Sequence, residues 1–65
     1  MPYIIIKALR GRAVEQKREL AKRITDATVE VYGVKPEVVS VRFEEVEPDS
    51  LAVGGVLKSD GASGG

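Results

Sequence analysis

The second residue of this 65-residue chain is a proline, and removal of Met1 would convert the Pro2 ring nitrogen into a secondary amine at the start of the chain. Small second residues, proline included, favour that removal. An α-amino group titrates at roughly 7.7–8.0, and an apolar setting or nearby guanidinium groups lower that value. The amine would then be a general base poised near neutrality. The chain holds no cysteine and no histidine, which excludes disulfides, zinc sites, thiol nucleophiles and every His-based dyad or triad. Pro2 is therefore the leading candidate base. The competing structural reading is that proline suits the first position of a strand, where its missing N–H costs nothing.

Arginines supply the second chemical feature. Arg10, Arg12 and Arg42, with Lys7, can form an anion-binding set, because a guanidinium binds carboxylates through paired hydrogen bonds. Taken singly, each reads better as a solvated arginine at a strand end or on a strand face. A strand between Pro2 and Arg12 rises ~3.3 Å per residue and puts the two at opposite ends of one subunit. If both serve one site, Arg12 must arrive from a neighbouring chain; Arg42 can come from either. The acidic run Glu44, Glu45, Glu47 and Asp49 reads as a solvated strand edge, since alternation sends Glu44 and Glu45 to opposite faces and no histidine accompanies them. Gly54-Gly55 is not a phosphate loop, because no Lys-Ser/Thr and no helix follow it.

The elements that must hold these residues follow from periodicity. Tyr3 to Leu9, with three consecutive isoleucines, is expected to be a strand with both faces largely apolar. A single helix covers only one of those faces. Val14 to Tyr32 is the expected helix, with Leu20, Ile24, Ala27 and Val31 as its apolar stripe. Gly33 and Pro36 mark its end, and Ala13 is a poor cap at its start. Ser40 to Glu47 is the second strand, with Val41 and Phe43 on one face and Arg42, Glu44 and Val46 on the other. Strand, helix, strand implies a parallel pair joined by a right-handed crossover. Val53 to Leu57, around Gly54-Gly55, reads as a short hairpin or a close backbone approach, and residues 59–65 as a flexible tail after a single domain spanning 1–58.

Size and charge bound the rest. A chain this short buries only about 60% of its unfolded surface and needs a staple. With disulfides and metals excluded, oligomerisation remains. Ten basic and ten acidic side chains balance, against the basic footprint of a nucleic-acid-binding domain. No stretch approaches the ~20 apolar residues of a membrane span, and the N-terminus lacks a signal-peptide layout, so a cytoplasmic location is expected.

Taken together, the Met-Pro start before an isoleucine-rich strand, Gly11-Arg12-x-x-Glu15-Gln16-Lys17, the single helix, Ser40-Val41-Arg42 and Val53-Gly54-Gly55 resemble the 4-oxalocrotonate tautomerase family over nearly the whole chain. The resemblance implies an α+β fold, with a β-α-β subunit and a short C-terminal hairpin, assembled as a hexamer built as a trimer of dimers. It implies no cofactor, with Pro2 as the base that moves a proton along a dienol. It implies further that Arg12 binds a substrate carboxylate from an adjacent subunit, and that Arg42 contacts and polarises the 2-hydroxy or oxo group. The substrate class would be a small dicarboxylate or 2-oxo acid, as in the degradation of aromatic hydrocarbons.

This sequence also departs from the family pattern. Leu51 stands where the family carries an aromatic residue lining the site; it still excludes water but changes the shape of the pocket. Arg10 adds a cation near Arg12, and Ala13 replaces a capping residue. Retention of Met1 would leave Pro2 as a peptide nitrogen without a basic lone pair. Two alternatives stand beside the tautomerase. One is a haloacrylate dehalogenase-like hydratase, which needs a water-activating carboxylate with no clear match here. The other is a non-catalytic partner subunit of a heterohexamer, donating Arg12 or Arg42 to a neighbour's site.

Overall fold

The computed structural model describes residues 1–61, so most of the expected 59–65 tail lies outside the described residues. Strand β1 (Tyr3–Leu9) leads to helix α1 (Val14–Tyr32), and strand β2 (Ser40–Val46) returns parallel to β1. β-Branched residues supply the stiffness of β1, and the crossover is the β-α-β unit expected from the order of elements. The register pairs Tyr3 with Ser40, Ile5 with Arg42 and Leu9 with Val46. At the near end of the sheet the Ser40 N–H donates to the Pro2 carbonyl at 3.0 Å; at the far end the Arg10 N–H donates to the Val46 carbonyl at 2.9 Å.

Helix α1 begins without a capping hydroxyl. Gln16 Oε1 accepts the Ala13 N–H at 3.0 Å, one half of a capping box, and alanine has no oxygen to complete it. At the other end Gly33 adopts φ 68° and donates its N–H to the Val29 carbonyl at 2.9 Å. That left-handed conformation is what the glycine is there to supply. Pro36–Val38 then forms a short 3-10 turn. A second, Pro48–Ser50, precedes an antiparallel hairpin of β3 (Ala52–Val53) and β4 (Val56–Leu57), and a third spans Lys58–Asp60. Gly54 and Gly55 both take positive φ at the hairpin turn, as a tight primed turn requires.

The apolar stripe of α1 is placed differently from the expectation. The half-buried helix residues are Lys17, Ala21, Ile24, Thr25, Thr28 and Val29, while Leu20, Ala27 and Val31 stay exposed, Val31 at 76%. The two-stranded sheet is too narrow to cover the whole apolar arc of the helix, and the stripe is left on an open flank. Indeed no described residue is fully buried. The radius of gyration is 15.0 Å, whereas a compact chain of this length would have about 11 Å.

Candidate active site

Pairing in β1 and β2 sorts the candidate residues by face. Ile4, Ile6 and Ala8, with Val41, Phe43 and Glu45, face the helix; Tyr3, Ile5, Lys7 and Leu9, with Arg42, Glu44 and Val46, face away. Pro2 stands at the start of β1, half-buried and fixed by its carbonyl bond to Ser40. It opens onto a cleft of about 340 Å³ lined by Ile4, Ala27, Thr28, Val31 and the two tyrosines Tyr3 and Tyr32. Met1 is 90% exposed and would leave without disturbing that bond.

Arg12 lies at the other end of the strand. It borders a separate cleft of about 250 Å³ with Ile6, Ala8, Phe43 and Leu20 among its walls. Seven strand steps separate Pro2 from Leu9, about 23 Å, and Arg12 comes later still. Arg12 has no acidic partner among the described residues. Arg10, by contrast, is ion-paired to Glu47, joining the end of β1 to the segment before the hairpin. Leu51 sits at the base of the hairpin, where its carbonyl accepts the Lys58 N–H at 2.9 Å.

Arg42 projects from the face away from the helix. Its Nε lies 3.4 Å from Glu44 Oε2, and its pKa is raised, first by hydrogen bonding to the Tyr3 side chain and then by Glu44. Within one chain, then, Pro2, Arg12 and Arg42 occupy three separate places and share no cleft.

The acidic run is not a uniformly solvated edge. Alternation does separate Glu44 from Glu45, but three of the carboxylates each meet a cation: Glu44 meets Arg42, Glu47 meets Arg10, and Glu45 meets Lys17. The last pair ties α1 to β2 at 2.9 Å with both side chains largely covered, 29% and 17% exposed. Two side-chain relations become visible only from the parallel register. Once the strands are set parallel, Tyr3 and Arg42 become diagonal neighbours, and Glu45 turns toward the helix face that holds Lys17.

Pro2 thus stands at the head of the β-α-β unit, with Arg42 on the sheet face away from the helix and Arg12 beyond the far end of β1. Comparison with known proteins places the chain. The family described as "Tautomerase enzyme" matches residues 2–61. Over 60 residues the chain is 43% identical to 2-hydroxymuconate tautomerase of Bacillus subtilis strain 168, covering 92% of this chain and 97% of that one. Among solved structures, a 4-oxalocrotonate tautomerase homologue superposes with a TM-score of 0.91 at 40% identity, covering 97% of this chain and all of the other. A heterohexameric 4-oxalocrotonate tautomerase from Chloroflexus aurantiacus J-10-fl gives 0.84 at 33% identity, covering 92% and 97%. The chain belongs to the tautomerase family and is an isomerase of the 4-oxalocrotonate tautomerase type.

Proposed function

We propose that residues 1–58 form a single cofactor-independent tautomerase domain that interconverts a 2-hydroxy-dienoate, 2-hydroxymuconate or a close relative, and its 2-oxo enoate isomer. One observation carries the reading: Pro2 is anchored through its carbonyl at the mouth of an apolar cleft, so loss of the exposed Met1 leaves a fixed secondary amine there. The 2-hydroxymuconate tautomerase of Bacillus subtilis supports the choice of substrate. Pro2 nitrogen takes the proton from the enol oxygen as the carbonyl forms and the double bond shifts. The resulting ammonium returns the proton to carbon. The neutral form of the free amine is the one that accepts the proton. Arg12 holds a carboxylate, Arg42 stabilises the charge that develops on the 2-oxygen, and Leu51 and Arg10 shape the rim.

The three groups come together only in an assembly, because one chain keeps them apart. A homohexamer built as a trimer of dimers fits the absence of any buried residue among those described and the exposed apolar side chains of Tyr3, Ile5, Val53 and Val56. The Chloroflexus relative favours one second reading, in which this chain pairs with a different subunit in a heterohexamer. A cytoplasmic role in aromatic catabolism is the setting we assign; no helix among the described residues is long and apolar enough to cross a membrane.

The test is ketonisation of 2-hydroxymuconate by the purified chain, followed by ultraviolet absorbance, beside a monocarboxylic dienol. Turnover is expected with the dicarboxylate preferred roughly tenfold or more, the value of one charge-assisted contact. No turnover by the chain alone, but turnover on adding a paralogous subunit, would establish the heterohexamer instead.

A further inference from the structure

The parallel register places Tyr3, the residue directly after Pro2, diagonally across from Arg42 on the sheet face that points away from the helix. Diagonal neighbours of this kind lie within reach of aromatic and long side chains. We propose that Tyr3 is a positioning residue for Arg42, its phenol holding the guanidinium in the orientation from which it meets the substrate's 2-oxygen. The inference rests on the tautomerase reading above and adds a residue to it.

Arg42 needs such a support. Its side chain is 62% exposed, and its one ion pair is a single-point contact at Nε with Glu44, at 3.4 Å. A long side chain held at one atom keeps much of its rotamer freedom, and catalysis by a charged group depends on that freedom having been removed beforehand. The two neighbours do different things. Glu44 is a carboxylate and competes with the substrate for the guanidinium. The Tyr3 phenol is neutral, so it orients the group while leaving its charge available to the developing oxyanion. Tyr3 follows Pro2 directly in the chain, so the base end of β1 and the cation on β2 are joined across two strand positions.

The experiment uses the Met1-free protein and three variants, Tyr3→Phe, Arg42→Gln and the double variant, with 2-hydroxymuconate as substrate. Tyr3→Phe removes one oxygen and keeps the ring. It is expected to lower kcat about tenfold with KM changed less than about twofold, because the oriented charge matters in the transition state. In the Arg42→Gln background the same change is expected to cost nothing further. Separately, the Arg42 Nε–H nuclear magnetic resonance signal is expected to move and to exchange with water faster in Tyr3→Phe. Wild-type rates in Tyr3→Phe, fully additive losses in the double variant, or an unmoved Arg42 signal would each overturn the assignment. A wild-type chain with no turnover, alone or with a paralogous subunit, would instead overturn the proposed 2-hydroxymuconate tautomerase activity, and the Arg42 signal would still decide whether Tyr3 holds the guanidinium.

Discussion

Two inactive variants mixed together should recover activity. Pro2→Ala removes the proposed base and Arg12→Ala the proposed carboxylate clamp; each alone is expected to lower kcat/KM by about 10²-fold or more. Pro2 and Arg12 border different clefts, and the length of β1 between them is about 23 Å, far beyond the span of a small dicarboxylate. A site that uses both must therefore take them from different chains. In an assembly refolded from equal amounts of both variants, half the chains bring an intact Pro2 and half bring an intact Arg12. If partners are drawn at random, about a quarter of the sites recover both, and about a quarter of wild-type activity returns. The assay is the initial rate of 2-hydroxymuconate ketonisation after joint refolding, with each variant refolded alone as control. Were the site made within one chain, no chain in the mixture would carry both residues, and a mixture no faster than the sum of its controls would refute the reasoning.

Lys17→Met leaves the Glu45 carboxylate largely covered and unpaired, and is expected to cost about 2 kcal/mol, between the values for exposed and buried pairs, read as a lowered urea midpoint at fixed protein concentration. A second substitution, Glu45→Leu, should recover much of that loss. Gly33→Ala meets no neighbouring atom, so its expected cost of about 1 kcal/mol is backbone strain at φ 68° alone, read as a fall in melting temperature of several degrees. Lys22 has its pKa raised, first by hydrogen bonding to Asp26 and then by that residue's charge. The sign follows directly: the pair's contribution is present below the ordinary lysine pKa and lost as pH rises through the raised one. In Asp26→Asn the Lys22 ammonium is expected to titrate at lower pH, as followed by its nuclear magnetic resonance shift.

The parts of the fold set by local pattern were legible. Three isoleucines and an aromatic specified β1, and the Gly33 and Pro36 signals closed α1 at Tyr32. Parallel pairing followed from the order of elements, and with it the opposite faces of Glu44 and Glu45. What periodicity could not supply was the rotation of the helix on the sheet. Leu20, Ala27 and Val31 share a stripe in the sequence, yet the sheet is only two strands wide and meets a neighbouring face centred on Ile24 and Thr28. The same limit hid the Lys17–Glu45 tie, which depends on three-dimensional register and not on spacing. Among the site candidates, Pro2, Arg12 and Arg42 were recognisable by type and by family resemblance, and strand length alone showed that Pro2 and Arg12 must stand apart. Tyr3 was not singled out, because its relation to Arg42 exists only after β1 and β2 are aligned.

Under the proposed function a free prolyl amine at Pro2 performs the proton transfer. Placing one lysine between Met1 and Pro2 changes nothing beyond the first strand residue, yet it turns the amine into a peptide nitrogen. Intact mass establishes which chain start is present in each preparation, and kcat/KM for 2-hydroxymuconate is compared between them. At least about a 10²-fold loss is expected when the amine is blocked, the low end of what a positioned base contributes. Equal rates from the blocked and the free chain would contradict it.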